Sequence, residues 1–355
     1  MTGRVLKFLV LLAAAAMALA PLPRGAVERV YSRGVYPLVQ SRLTSLTNKT
    51  PFAWFDAILA IAAGAIVTLW IVRLSRRRSG ALKTIGGLSL DTAVIAAVLY
   101  LWFVAAWGLN YRREPLRTQL DFQEDRITRE NLRGLGIRNV ESLNSLHRDA
   151  HAGGWPELVG VPGVLAPAFL RAQQELAMGW RVEPSLPKRS LFNFYFTRVS
   201  IDGMTDPFFL ETLANQSLLP FERTATIAHE WSHLAGYADE AEANFLGWLI
   251  CMRGSASDQY SGWLSLYSTV MGSLPPADRD ELARSLEPGP REDLQAIRAR
   301  IQMQVVPIAR RASDALYDRY LKANRVEAGI RSYGEVIRLL LGTRFNEDGS
   351  PALRR

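Results

Sequence analysis

The stretch "TATIAHEWSHLAGYADEAEANF", residues 224–245, holds two of the chain's four histidines, three glutamates and a glycine where a helix would stop. His229 and His233 stand four apart, so on a helix both imidazoles share one face and can grip one metal ion. Glu230, beside the first histidine, occupies the place of the base that takes a proton from the attacking water in zinc peptidases. Random order in a chain of this composition spells His-Glu-x-x-His in roughly one case in 400. Thr224, Thr226 and Ile227 begin a helix after Pro220, and Gly236 ends it three residues past His233, where the chain must turn to bring in a third ligand.

A catalytic zinc keeps three protein ligands and leaves one position for water, so the third ligand is expected to be a carboxylate. Asp239 suits the N-cap of a second helix, "EAEANFLGWLICM". On that helix Glu240, Ala243, Asn244, Gly247 and Cys251 share a narrow face of small residues, which permits close packing on the histidine helix and points Glu240 at the metal. Glu242 is the alternative third ligand; its plainer role is the N3 partner of Asp239 in a capping box. Asn244 is the candidate to hold a ligand histidine by a hydrogen bond. Without metal, the same pattern is an amphipathic helix with two ordinary histidines, or a protease-like fold that has lost its ion. The other pair, His147 and His151 in "HRDAH", lacks an adjacent glutamate and sits in a polar segment that ends in glycines, so it reads as a solvated helix face.

Outward from this motif, the chain divides in two. Residues 8–20, "FLVLLAAAAMALA", follow Arg4 and Lys7 and resemble a signal-peptide core, so 1–20 is a signal peptide or a first transmembrane helix. Residues 52–73 and 90–109 are each about the 20 residues a membrane-crossing helix needs. The loop between them, 74–89, carries Arg76, Arg77 and Arg78 and is expected on the cytoplasmic side, which places 112–355 outside the cytoplasm. The intervening segment 21–51 is basic for an outer loop, and "AVERVYSRGVYPLVQSRLTSL" within it suits a helix lying on the membrane surface.

From 112 onward the pattern is mostly helical. Residues 127–154 read as a helical pair punctuated by Gly134 and Gly136. The exception is "SLFNFYFTRVSIDGMTDPFFLETLANQSLLPF", residues 190–221, whose aromatic and β-branched content predicts a strand pair. Its part "FFLETLANQ", 208–216, is the expected edge for an extended peptide. The tail "GTRFNEDGSPALRR" is expected to fray.

The single cysteine, Cys251, excludes an internal disulfide and suits a buried apolar position. The net charge of +8 is spread along the chain and at membrane edges, without the interleaved aromatics of a nucleic-acid surface. Tyr260, Tyr267, Arg331 and Tyr333 are candidate oxyanion donors by residue type alone.

Two resemblances follow. The HExxH motif, with Gly236 and then Glu240-x-x-Ala243-Asn244, together with "WGLNYRREPL" at 107–116 and "GIRSYGEVIRLLL" at 329–341, resembles a bacterial membrane family labelled a domain of unknown function (3810). The likeness covers nearly the whole chain, N-terminal spans included. More distantly, the motif is similar to gluzincin-type zinc metallopeptidases, especially the integral-membrane CAAX and heat-shock proteases. That likeness maps His229, Glu230, His233 and Glu240 onto ligand, base, ligand and ligand. The chain departs from it in the short link, with Glu240 only seven residues after His233, and in Asn244 where those enzymes carry aspartate.

The expectation is a mainly α protein: N-terminal transmembrane helices followed by a helical zincin-like metallopeptidase domain with a small β-sheet. It would be a multi-pass cell-membrane enzyme that takes Zn2+ and hydrolyses a peptide or protein. The alternative is an inactive membrane scaffold or sensor with a protease-like fold.

Overall fold

The computed structural model describes residues 2–75, 80–326, 329 and 335–354. The N-terminal part runs through α1 (Thr2–Leu19), α2 (Arg24–Ala26), a π-helical stretch (Val27–Val35), α3 (Tyr36–Thr47), α4 (Trp54–Ser75) and α5 (Ala81–Ala106). Two helices, Trp54–Ser75 and Leu82–Ala106, are long and apolar enough to cross a membrane, with mean hydropathies of 2.2 and 2.0. The second span thus lies eight residues nearer the N-terminus at its start than sequence placed it. α1 packs along α5. The one carboxylate within α5, Asp91, pairs with Lys7 of α1 and, at 2.7 Å, with Arg73 at the end of α4. An acid in an apolar span is expected to be neutralised this way. Arg76, Arg77 and Arg78 lie outside the described residues.

Residues 24–47 form a continuous helical run rather than a separate loop. One face of it, including Val27, Tyr31, Tyr36, Gln40, Thr44 and Thr47, is buried. Gln40 Nε2 donates to the Glu183 carbonyl at 2.8 Å, and Thr44 Oγ1 to that of Leu210 at 2.9 Å. The apolar core beyond residue 112 therefore continues into Val27, Tyr31, Tyr36 and the last turns of α5, Phe103, Val104 and Trp107.

The body follows as α6 (Arg129–Gly153), α7 (Val161–Glu175), β1 (Pro187–Lys188), α8 (Asn193–Val199), β2 (Gly203–Thr205), β3 (Thr212–Ala214), α9 (Pro220–Leu234), α10 (Glu240–Met252), α11 (Ala256–Ser273), α12 (Pro276–Ser285), α13 (Pro288–Gln304), α14 (Pro307–Ala323) and α15 (Val336–Gly342). α6 is one helix, not two. Gly136 does not break it, because a β-carbon there would stand 2.8 Å from Leu282 Cδ1 and 3.0 Å from Leu274 Cδ1. Its role is close packing.

The strands form a three-stranded sheet in the order β1-β3-β2, with β1 parallel and β2 antiparallel to β3. Two expectations change here. Residues 193–199 are helical: Phe194 is 71% exposed while Phe196 packs inward with Ala53 and Leu213, beside a turn that Asp56 of α4 holds through Ser190 Oγ (2.6 Å) and Leu191 N (2.7 Å). The buried residues of 193–199, Phe196 and Val199, stand three apart, the spacing of a helix face and not of a strand. The segment 208–216 contains the central strand β3, so the edges of the sheet are β1 and β2.

The sheet also anchors the start of α4. Lys188 of β1 is buried and donates to Glu211 Oε1 at 2.6 Å and to the carbonyls of Thr47 and Phe52 at 2.6 and 3.2 Å. Glu211 Oε2 accepts from Phe55 N at 3.1 Å. A buried charge is tolerable because every face of it finds an opposite or polar partner. The C-terminal tail is not frayed: Asp121 N donates to the Ala352 carbonyl at 2.8 Å and Arg354 N to that of Gln119 at 2.9 Å.

Candidate metal centre

α9 starts at Pro220, whose missing N–H costs nothing in a first turn, and Glu222 reaches back to accept from Leu219 N at 2.9 Å. Its other end exposes carbonyls that need donors. Three residues from the N-terminal part of the chain supply them: Trp107 Nε1 donates to the His233 carbonyl (3.1 Å), Tyr36 to that of Leu234 (2.8 Å), and Arg113 Nη1 to that of Gly236 (3.0 Å). Arg113, itself buried, is held by Glu28 at 2.9 and 3.0 Å. The positive guanidinium also sits where the helix dipole favours it. The "WGLNYRR" stretch after α5 thus clamps the end of the histidine helix. Gly236, at φ +83°, makes the turn.

α10 begins at the Asp239 N-cap, which accepts from Ala241 N at 2.9 Å and Glu242 N at 3.3 Å. It packs tightly on α9: a β-carbon on Gly247 would lie 3.0 Å from both Cα and N of His229. The small-residue face predicted from sequence does place Glu240 against the histidines. His229 Nε2 is 3.3 Å and His233 Nε2 3.6 Å from the same oxygen, Glu240 Oε2. Donor atoms of His229, His233 and Glu240 lie within 4.8 Å of one another. Two atoms at zinc-ligand distances of 2.0–2.1 Å in a tetrahedral site are about 3.3 Å apart, so this spacing fits one ion. Glu240 Oε2 is buried without a hydrogen-bond partner. An orphaned carboxylate oxygen facing two imidazole nitrogens is what a metal would satisfy.

The surroundings set the ligands' state. His233 Nδ1 lies 2.7 Å from the Tyr237 carbonyl, which only accepts, so Nδ1 carries the proton and Nε2 faces Glu240. Burial alone would lower the His233 imidazole, but the Glu240 carboxylate overturns that and pushes it up to about 9. Burial likewise raises Glu240, and the two histidines more than reverse it, holding the carboxyl well below its usual range. Glu230, four per cent exposed, is pushed up by burial against the pull of both histidines. Thr205 Oγ1 of β2 lies 2.9 Å from Glu230 Oε2 and 2.8 Å from the Glu230 carbonyl. Gly203, the first residue of β2, admits that carboxylate, since a β-carbon there would stand 2.7 Å from Oε1.

The remaining candidates fall elsewhere. Glu242 turns away and accepts from Leu116 N at 2.6 Å, so it neither joins the cluster nor completes a capping box with Asp239. Asn244 makes no side-chain hydrogen bond among the described residues; the orienting contact comes from the Tyr237 carbonyl, which carries no side-chain signal in sequence. Tyr260 bonds Asp293 at 2.5 Å, Tyr267 is buried in the core, and Arg331 and Tyr333 lie outside the described residues. The hydroxyl that does reach the cluster is Tyr317 of α14, which donates to Glu240 Oε1. Nothing near Tyr317 in sequence marks it, because α14 arrives from 77 residues downstream.

The fold and site together define a mainly helical protein with two helices able to cross a membrane and a histidine–carboxylate cluster in the attached body. The chain belongs to the family described as "Protein of unknown function (DUF3810)", whose sequence model matches residues 31–341. No curated protein and no solved structure matches it.

Proposed function

We propose that the protein is a membrane-anchored zinc metallopeptidase that hydrolyses peptide bonds. The observation that carries this reading is the convergence of His229 Nε2 and His233 Nε2 on the unpartnered Glu240 Oε2, with Glu230 one residue from the first histidine. His229, His233 and Glu240 would hold the ion, which supplies Lewis-acid polarisation of water and of the scissile carbonyl. Glu230, ionised, accepts the proton of the attacking water and passes it to the departing amine. Its burial keeps that proton affinity higher than a surface carboxylate's, which suits a base that must also release the proton as an acid. The short link between His233 and Glu240 is no obstacle, because the turn at Gly236 brings α10 back directly.

β2 supports a peptide substrate rather than a small one. It is an edge strand and its Thr205 touches Glu230, so an extended peptide pairing with it would pass beside the base. On topology, the body packs on the start of α4 and the end of α5, the ends away from Arg73. With the basic 73–78 end cytoplasmic, the site lies outside the cytoplasm.

The test is zinc content and peptidase activity of the full-length protein in detergent. The reading expects about one zinc at this cluster, lost in His229→Ala and Glu240→Gln, and kept in Glu230→Gln and Glu242→Gln. Glu230→Gln should lower kcat by about 100-fold or more. A parent protein that takes up no zinc at His229 and His233 when offered it removes the peptidase reading and leaves the scaffold alternative.

A further inference from the structure

The second histidine pair is not a bare solvated face. His147 and His151 lie one turn apart on α6, with rings 4.3 Å apart, and both Nε2 atoms face one oxygen, Asp293 Oδ2 of α13, at 3.6 and 2.8 Å. Donor atoms of the three residues lie within 4.8 Å of one another, as in the first cluster. We propose that His147, His151 and Asp293 form a second binding site for a divalent transition metal of the zinc type, separate from the first and independent of the peptidase reading.

Three further features fit a ligand set better than a simple hydrogen bond. First, 3.6 Å is too long for a hydrogen bond, so the His147 nitrogen aims at the carboxylate without bonding it, and His147 has no other hydrogen bond among the described residues. An ion bridging two atoms at 2.0–2.1 Å each needs about 3.3 Å between them, between the two distances present, so the shorter contact opens by about 0.5 Å and the longer closes slightly. Second, the carboxylate is held in place: Tyr260 of α11 donates to the same oxygen, Asp293 Oδ2, at 2.5 Å, a hydrogen bond that can orient a carboxylate oxygen while its other lone pair faces the histidines. Third, α13 is shaped to come close. Gly289, one turn before Asp293, lies against the His147 ring, where a β-carbon would be 2.4 Å from Cε1. The rings of Trp155, Phe221 and Tyr260 wall the site at 5.1–6.2 Å from His151.

Two imidazoles and one carboxylate suit zinc, copper or nickel over magnesium or calcium, which favour all-oxygen sites. The residue after His147 is Arg148, 92% exposed, so no base stands where Glu230 stands in the first cluster. The second ion would therefore be structural. It would join α6 to α13, and α13 carries Arg300, whose Nη2 binds Glu222 at 2.7 Å in the first turn of the α9 helix.

The experiment uses full-length protein in detergent, stripped of metal, equilibrated with Zn2+ alone and analysed for bound zinc. The variants are His147→Gln/His151→Gln, His229→Gln/His233→Gln, and all four changes together, each checked for folding by circular dichroism. The proposal expects two zinc per parent chain, one in each double variant and none in the quadruple one. If His147→Gln/His151→Gln binds as much zinc as the parent, the proposal is overturned. If that variant does not fold, the His229→Gln/His233→Gln protein decides alone: zinc at 100 times its dissociation constant should raise its melting temperature and a chelator reverse the rise. No shift there overturns the proposal. The two readings fail separately, since a parent whose single zinc survives His229→Gln/His233→Gln keeps the second site and loses the peptidase.

Discussion

The chain carries the same histidine spacing twice, and the two copies differ in what surrounds them. The α9 pair is mostly buried, has a glutamate between its histidines, and finds its acid seven residues on in the next helix. The α6 pair is partly exposed, with side chains 27% and 39% accessible, and finds its acid 142 residues away. The helices are also held differently. α6 closes on its own backbone, Gly154 N donating to Ala150 O at 2.8 Å, while α9 is capped by Tyr36, Trp107 and Arg113 from the membrane-proximal part. Spacing alone makes a pair of candidate ligands; in the proposed reading the neighbouring Glu230, the burial and the rigidity separate the hydrolytic site from the one that joins two helices.

The largest expected effect tests the base. Glu230→Gln should lower kcat about 10²–10⁴-fold while zinc stays bound, as expected when a positioned proton acceptor is lost. Arg148→Glu at the matching place in the other pair should leave activity unchanged. Equal losses in both variants would erase the proposed division of labour.

Next comes the clamp on α9. Arg113→Met removes the buried partner of Glu28, leaving it only the half-exposed Arg33 at 2.9 Å, and removes the donor to Gly236, so it should cost about 3 kcal/mol of stability, the low end for a broken buried pair. Thermal or denaturant unfolding of the full chain measures it. Adding Glu28→Leu to Arg113→Met should recover much of the loss, because no charge is then stranded. If Arg113→Met unfolds like the parent, the clamp does not hold the helix.

A smaller effect separates the two clusters directly. Gly247→Ala places a methyl group 3.0 Å from the His229 backbone, so α10 must shift away from α9 at a cost of about 1–3 kcal/mol. Zinc affinity at the first cluster should fall roughly tenfold, while zinc held by His147 and His151 stays unchanged. Titration in the two double-histidine backgrounds reads each site alone.

These expectations also mark how far the sequence could be read. The α9–α10 unit was legible because its signals are local: a helix starts after Pro220 with Thr224, Thr226 and Ile227, Gly236 turns it, Asp239 caps the next, and Glu240 lies within one turn of that cap. The two helices able to cross a membrane were legible from length and apolarity. What stayed hidden depends on distant partners. Asp293 meets His147 and His151 only through the packing of α13 on α6. Thr205 and Tyr317 reach the first cluster from a three-residue strand and a late helix. The aromatic run before β2 misled because residue type does not set the period, its buried Phe196 and Val199 standing three apart as on a helix, and Gly136 misled because a helix glycine marks close approach as readily as a break.

The smallest effect concerns the two acids of α10, two residues apart and opposite in character. Glu240 is held below the usual carboxylate range by the histidines, whereas Glu242 is pushed up to about 8 by burial, reinforced by the nearby Asp239 carboxylate. An acid whose folded pKa is raised binds its proton more tightly in the native state than unfolded. Stability is then greatest below the unfolded value of 4.5, and declines as the pH climbs toward 8, where the native state must finally ionise a buried group. Glu242→Gln keeps an acceptor for Leu116 N and removes the titration. It should therefore match the parent's melting temperature near pH 5 and exceed it by roughly 3–6 °C at pH 8. Zinc content should not change in this variant. A loss of zinc in Glu242→Gln with none in Glu240→Gln would exchange their roles, and would require α10 to turn on its axis so that Glu242, not Glu240, faces His229 and His233.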